Sequence, residues 1–133
     1  MHSIPIQIRF NDIDQMGHVN NTIIMEYFDL GKSRYFHDAG IPVIPEEGDF
    51  CVMIVHLELD FKSQIHFHDD PVVTSEVTHW GNKSFELTQQ VLVNGQVAAV
   101  CRNIMSGYSR ATQSSAPIPD HIKERVRQYD ATH

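Results

Sequence analysis

Asn20-Asn21-Thr22-Ile23-Ile24-Met25-Glu26-Tyr27-Phe28-Asp29-Leu30-Gly31-Lys32-Ser33-Arg34-Tyr35-Phe36-His37-Asp38-Ala39 is the stretch that decides the fold. Ile23, Ile24, Tyr27, Phe28, Gly31 and Tyr35 recur at spacings of three and four, so a helix places them on one stripe. Asn20 or Asn21 supplies an N-cap, because its side chain accepts a hydrogen bond from an orphan amide one turn on. Gly40 suits the position just past a helix, and Pro42 prevents continuation. At 1.5 Å per residue this helix is roughly 30 Å long, the width of a small domain. Gly31 inside the stripe costs about 1 kcal/mol against alanine, which points to close approach of another backbone.

On either side of this helix the period becomes two. Upstream, Ile4, Ile6, Ile8 and Phe10 alternate with polar residues and predict a strand with those four on one face. A polar loop, Asn11 to Gly17, joins it to the helix. Downstream, after a loop holding Pro42, Pro45 and Gly48, Cys51, Met53, Val55, Leu57, Leu59 and Phe61 predict a strand with one buried face. Val72 to Trp80, Phe85 to Val93 and Val97 to Tyr108 predict three more. Gly81-Asn82 is a two-residue hairpin signal, and Asn94-Gly95 is a stronger one, since a type I′ turn needs φ > 0 at both central positions. A tail helix over about Pro119 to Tyr129 has Ile122, Val126 and Tyr129 on one side.

One long apolar helix between a first strand and an antiparallel meander lies across one sheet face. The expected fold is α+β, a long central helix wrapped by a curved five-stranded antiparallel sheet. One helix covers five strands incompletely, so a second subunit is expected over the remaining edge or face.

The chain has 133 residues, enough for one core and too few for two, so residues 1–133 are expected to form one domain. Seventeen acidic residues against ten Lys and Arg give a net charge of −7, with no basic stripe. That balance argues against nucleic-acid or anionic-membrane partners. No apolar run approaches the roughly 20 residues that span a bilayer, and Met1 to Pro5 lacks the pattern of a signal peptide. Cys51 and Cys101 lie in apolar strands without metal-ligand spacing, as buried thiols in a reducing compartment do. A cytoplasmic protein is the simplest expectation. His66 and His68 precede the turn-like Asp69-Asp70-Pro71 and read as a solvated turn rather than a zinc site. No metal and no cofactor is expected. Gly-x-Ser-x-Gly, P-loop and dinucleotide fingerprints are absent, which removes support for serine hydrolases and nucleotide enzymes.

The richest polar cluster, Asp12, Asp14, His18, Asn20 and Asn21, lies directly before the long helix. A helix start offers unpaired N–H groups and partial positive charge, which can hold a developing oxyanion. A carboxylate on the loop leading in can attack that carbonyl or activate water against it. The same residue types also make ordinary loops and caps.

Order and spacing add to this. Arg9-Phe10-Asn11-Asp12-Ile13-Asp14-Gln15-Met16-Gly17-His18-Val19-Asn20-Asn21, then Tyr27-Phe28-Asp29, closely resembles the hot-dog acyl-CoA thioesterases of the 4-hydroxybenzoyl-CoA thioesterase family. It is also similar to the Asn-x-His-Val-Asn-Asn segment of acyl-acyl-carrier-protein thioesterases. The resemblance runs to about Tyr108 and implies a hot-dog fold, hydrolysis of an acyl thioester on CoA or carrier protein, and a homodimer or homotetramer. By resemblance, Asp14 matches the catalytic carboxylate, as nucleophile or general base. His18, Asn20 and the backbone of Gly17 and Val19 match the region that polarises the thioester carbonyl. Gly81, Lys83 and Ser84 match a hairpin that binds the pantetheine and phosphate end. Ile24 stands where an aromatic is frequent, which reshapes the acyl pocket. Two other readings remain open on the same scaffold: hydration or dehydration of an acyl thioester, and a non-catalytic acyl-CoA-binding module.

Overall fold

The computed structural model describes residues 1–43 and 48–133; Pro45 of the expected loop lies outside them. The elements in chain order are β1 (His2–Pro5), α1 (Asn21–Ala39), β2 (Phe50–Phe61), β3 (Val72–Trp80), β4 (Ser84–Val93), β5 (Gln96–Ser109), β6 (Ser114–Ser115) and α2 (Asp120–Thr132). Five strands run β1-β3-β4-β5-β2, and the two-residue β6 adds to the end of β5. Every pairing is antiparallel.

The caps of α1 are the expected ones. Thr22 N–H donates to Asn20 Oδ1 at 2.8 Å, and Gly40 ends the helix at φ 82°. Asn94 and Gly95 both have positive φ, 53° and 77°, and Val93 pairs with Gln96, so this turn has two residues. The other hairpin is longer than expected. Trp80 pairs with Phe85, and Gly81 N–H donates to the Ser84 carbonyl at 2.7 Å.

Two further expectations need correction. The first strand stops at Pro5; Ile6 still turns inward, but Phe10–Asp12 form a 3₁₀ turn that leaves Phe10 82% exposed. In β2 the register shifts between Ile54 and His56, so Val55 is unpaired. A bulge adds one residue and switches the face of all that follow. Phe50 and Val52 therefore face the core before it, and Leu57 and Leu59 after it.

α1 packs on the sheet through a buried polar contact as well as its apolar stripe. Gln89 Nε2, from β4, donates to the Phe28 carbonyl in mid-helix and to Ser75 Oγ, both at 3.0 Å. Asn103 donates to Gln89 Oε1 at 3.2 Å. Gly31 permits this approach: a Cβ there would lie 2.5 Å from Val73 Cγ1. Gly31→Ala is therefore expected to destabilise the fold by about 1–3 kcal/mol through overpacking, read as a lower urea midpoint at unchanged m-value.

The apolar interior forms two clusters along α1. One gathers Val19, Ile24 and Phe28 against Ile65, Val73 and Ala99; the other gathers Tyr35 and Phe36 against Phe85, Leu87, Ile122 and Val126. The opposite sheet face carries charge: Arg102 pairs with Glu86 at 2.7 Å and Glu58 at 3.4 Å. That face suits solvent. At the outer edge, by contrast, Val52 N–H donates to the Pro42 carbonyl at 3.0 Å, and Met53, Ile54 and Val55 of β2 are 42%, 42% and 60% exposed.

Candidate active site

The loop entering α1 is folded by its two aspartates, in different ways. Asp12 is 1% exposed. Its Oδ2 accepts the Tyr27 hydroxyl at 2.6 Å and Arg9 N–H at 3.0 Å. Burial, then the hydrogen bond to Asp12, raises the Tyr27 phenol above its ordinary value. Asp12 thus ties the loop to the second turn of α1. Tyr27→Phe leaves that buried carboxylate short of a donor and is expected to cost about 1–3 kcal/mol, measurable by denaturant unfolding.

Asp14 faces outward. Its Oδ1 accepts Met16 N–H at 2.9 Å and His18 N–H at 3.4 Å. The turn closes with Gly17 N–H on the Asp14 carbonyl at 3.1 Å and Asp14 N–H on the His18 carbonyl at 2.9 Å. Gly17 occupies the left-handed region at φ 83°, where a side chain is strained. Backbone amides hold one carboxylate oxygen, and the other accepts no hydrogen bond among the described residues.

Asp14, His18 and Val19 line one cavity of about 360 Å³ with Asn21, Ile24 and the segment Phe61 to Ile65. Val19 N–H donates to the Ile65 carbonyl at 2.7 Å, which brings that segment across from the loop. Lys62 and Ser63 amides both donate to the Ala98 carbonyl, at 2.8 and 3.1 Å, so this wall is anchored at each end. Sequence reasoning missed the wall. Nothing in the spacing of Phe61 to Ile65 links it to Asp14; only the crossing at Val19 does.

The helix start has one amide to spare. Ile23 and Ile24 amides reach the Asn20 carbonyl, at 2.9 and 3.0 Å, and Thr22 takes the Asn20 side chain. Asn20 N–H donates to the Asp12 carbonyl at 2.9 Å. Asn21 N–H is left without an acceptor among the described residues, and Asn21 lines the cavity. Asn20 itself is a cap, its side chain turned to the helix.

Gly81, Lys83 and Ser84 lie elsewhere in the same chain. Trp80 and Phe85 flank them and sit 5.0 Å apart, and Phe85 meets Phe36 of α1 at 6.3 Å. Lys123 of α2 donates to the Gly81 carbonyl at 2.9 Å. From Asn20 to Phe36 is roughly 24 Å along a helix. A second hollow of about 550 Å³ at that end, between Phe36, Ile41, Phe50 and Ile122, is lined by no carboxylate, serine or cysteine among the described residues.

Among the described residues, no group of three or more His, Cys, Asp or Glu could hold a metal. No described helix is long and apolar enough to cross a membrane. Cys51 and Cys101 are free and buried, and burial pushes the Cys101 thiol up to about 11.

A long helix wrapped by an antiparallel sheet, with a carboxylate loop at the helix mouth, defines an α+β domain of the hot-dog type. Residues 8–126 match the model of the thioesterase-like superfamily. The chain belongs to that superfamily, a hot-dog thioesterase by family and fold. Among solved structures it is similar to a thioesterase from Thermus thermophilus, determined with coenzyme A and zinc: 28% identity over 97% of this chain and 93% of that one, TM-score 0.81. It is similar at 25% identity to a predicted thioesterase from Bacillus stearothermophilus, over 95% and 93% of the two chains, TM-score 0.81. A 1,4-dihydroxy-2-naphthoyl-CoA thioesterase from Synechocystis shares the fold at 18% identity, covering 97% of each chain, TM-score 0.83. No curated protein matches the sequence.

Proposed function

We propose that residues 1–133 act as a single hot-dog domain that hydrolyses an acyl-CoA or acyl-carrier-protein thioester, with Asp14 as its working carboxylate. The observation that carries this reading is that Asp14, with one carboxylate oxygen free of hydrogen bonds among the described residues, lines the cavity that Asn21, at the mouth of α1, also lines. The Asn21 amide and the helix dipole stabilise the oxyanion formed at the thioester carbonyl. Asp14 either attacks the carbonyl and forms an anhydride that water opens, or takes a proton from water as that water attacks. In both routes the C–S bond breaks, the thiol leaves protonated and a carboxylic acid remains. His18 flanks the carbonyl, and Val19 and Ile24 face the acyl group.

The site is completed by a second subunit. Two copies that pair antiparallel through their outer β2 edges, along the exposed stretch Met53 to Val55, run their central helices in opposite directions. The C-terminal end of one α1, with its Trp80–Ser84 hairpin, then lies beside the Asp14 cavity of the other. This places the partner's Gly81, Lys83 and Ser84 where the pantetheine and phosphate end emerges. Support comes from the apolar exposed stretch Met53 to Val55 and from the separation of Lys83 from Asp14 within one chain. Buried free thiols suit a cytoplasmic enzyme.

The test is free-thiol release over short, long and aromatic acyl-CoAs and over acyl-carrier protein, with the acid product quantified. Equimolar thiol and acid are expected. Loss of enoyl absorbance without thiol release would favour the hydratase reading, and tight binding without turnover the binding module.

A further inference from the structure

We infer that His66 is a positioning residue for His18, an inference that rests on the thioesterase reading of the Asp14 cavity. The two are far apart in sequence, but the hydrogen bond from Val19 N–H to the Ile65 carbonyl lays their segments side by side. Their rings meet edge to face, with centroids 5.6 Å apart and planes at 84°. This is the arrangement that the charge distribution of aromatic rings favours over face-to-face stacking.

His66 is itself held from behind. Its N–H donates to Asp69 Oδ2 at 2.8 Å, and its Nδ1 lies 3.6 Å from the same oxygen. On the far side, His18 borders the cavity and its backbone amide reaches Asp14. Asp69 thus contacts His66, His66 meets His18, and His18 borders the Asp14 cavity. A half-exposed imidazole at a loop has several staggered rotamers open to it, and the His66 ring is the wall that favours one. His68, two residues on, makes no such contact; its ring lies against its neighbour Phe67, 5.1 Å away. The pair that looked equivalent in sequence divides into a positioning residue and a solvated one.

The experiment uses the intact chain as wild type, His66→Ala, His66→Phe, His18→Ala and the double alanine variant. Thiol-release kinetics, thermal melting and the imidazole NMR resonances of His18 are recorded for each. His66→Ala is expected to lower kcat roughly 3- to 10-fold, with KM and melting temperature unchanged, and to shift the His18 resonances. His66→Phe keeps an edge-to-face ring and is expected to restore most of kcat. In the His18→Ala background, His66→Ala is expected to add nothing. Independent, multiplying effects of the two substitutions, or His18 resonances unmoved by His66→Ala, overturn the inference. A wild type that hydrolyses no thioester sinks the thioesterase reading instead, and the His18 spectra still decide the ring contact separately.

Discussion

Asp14→Asn is expected to lower kcat for thioester hydrolysis roughly 100- to 10,000-fold, the range lost with a general base, while KM and melting temperature stay near wild type. The substitution is nearly isosteric, and an amide oxygen can still accept the Met16 and His18 amides that shape the turn. What it removes is the charge on the free oxygen, and with it both the nucleophile and the base. Asp12→Asn is the informative contrast. Asp12 is buried against Tyr27 and Arg9, so its loss is expected to lower stability first and activity only as a consequence. Label in the Asp14 carboxylate after single turnover in heavy-oxygen water identifies a nucleophile whose anhydride water opens at the Asp14 carbonyl; a base, or an anhydride opened at the acyl carbonyl, leaves all label in the product.

The second large effect concerns the β2 edge. A double substitution Ile54→Lys with Val55→Lys is expected to give a folded monomer whose kcat/KM falls at least about 100-fold, since misplacing a substrate-positioning group can cost that much. Both side chains are exposed in the single chain, at 42% and 60%, so the lysines cost the subunit little. Charge on an unpaired strand edge opposes pairing with another edge. Light scattering gives the mass and thiol release the activity. A fully active monomer would remove the two-chain site, and a dimer that survives both lysines would move the interface elsewhere.

Much of the fold was legible because local chemistry and global fold agree. Asn94-Gly95 could be read because few residues other than Asn and Gly accept positive φ. Asn20 and Gly40 could be read because each satisfies orphan groups at a helix end. The bulge at Val55 could not. Phe50 to Val55 is unbroken apolar sequence, so alternation gives no parity there and only cross-strand pairing exposes the shift. Phe10 failed for a similar reason: the alternation continues past Pro5, but Asp12 captures the Arg9 amide and turns the chain.

At the site, resemblance singled out Asp14, and burial explains why its neighbour has another task. In sequence Asp12 and Asp14 differ by little; in the fold one is enclosed and the other opens on a cavity. The Lys62 to Gln64 wall, His66 and the spare Asn21 amide were illegible, because each depends on a contact between distant segments or on which hydrogen bonds are already taken.

The most direct measurement is a thiol-release time course on one acyl-CoA that the wild type turns over, run beside Asp14→Asn at matched folded concentration. Steady release from the wild type with equimolar acid, and release near the buffer blank from the variant, is the expected result. Equal rates from the two proteins would contradict the assignment of Asp14 and the site built around it.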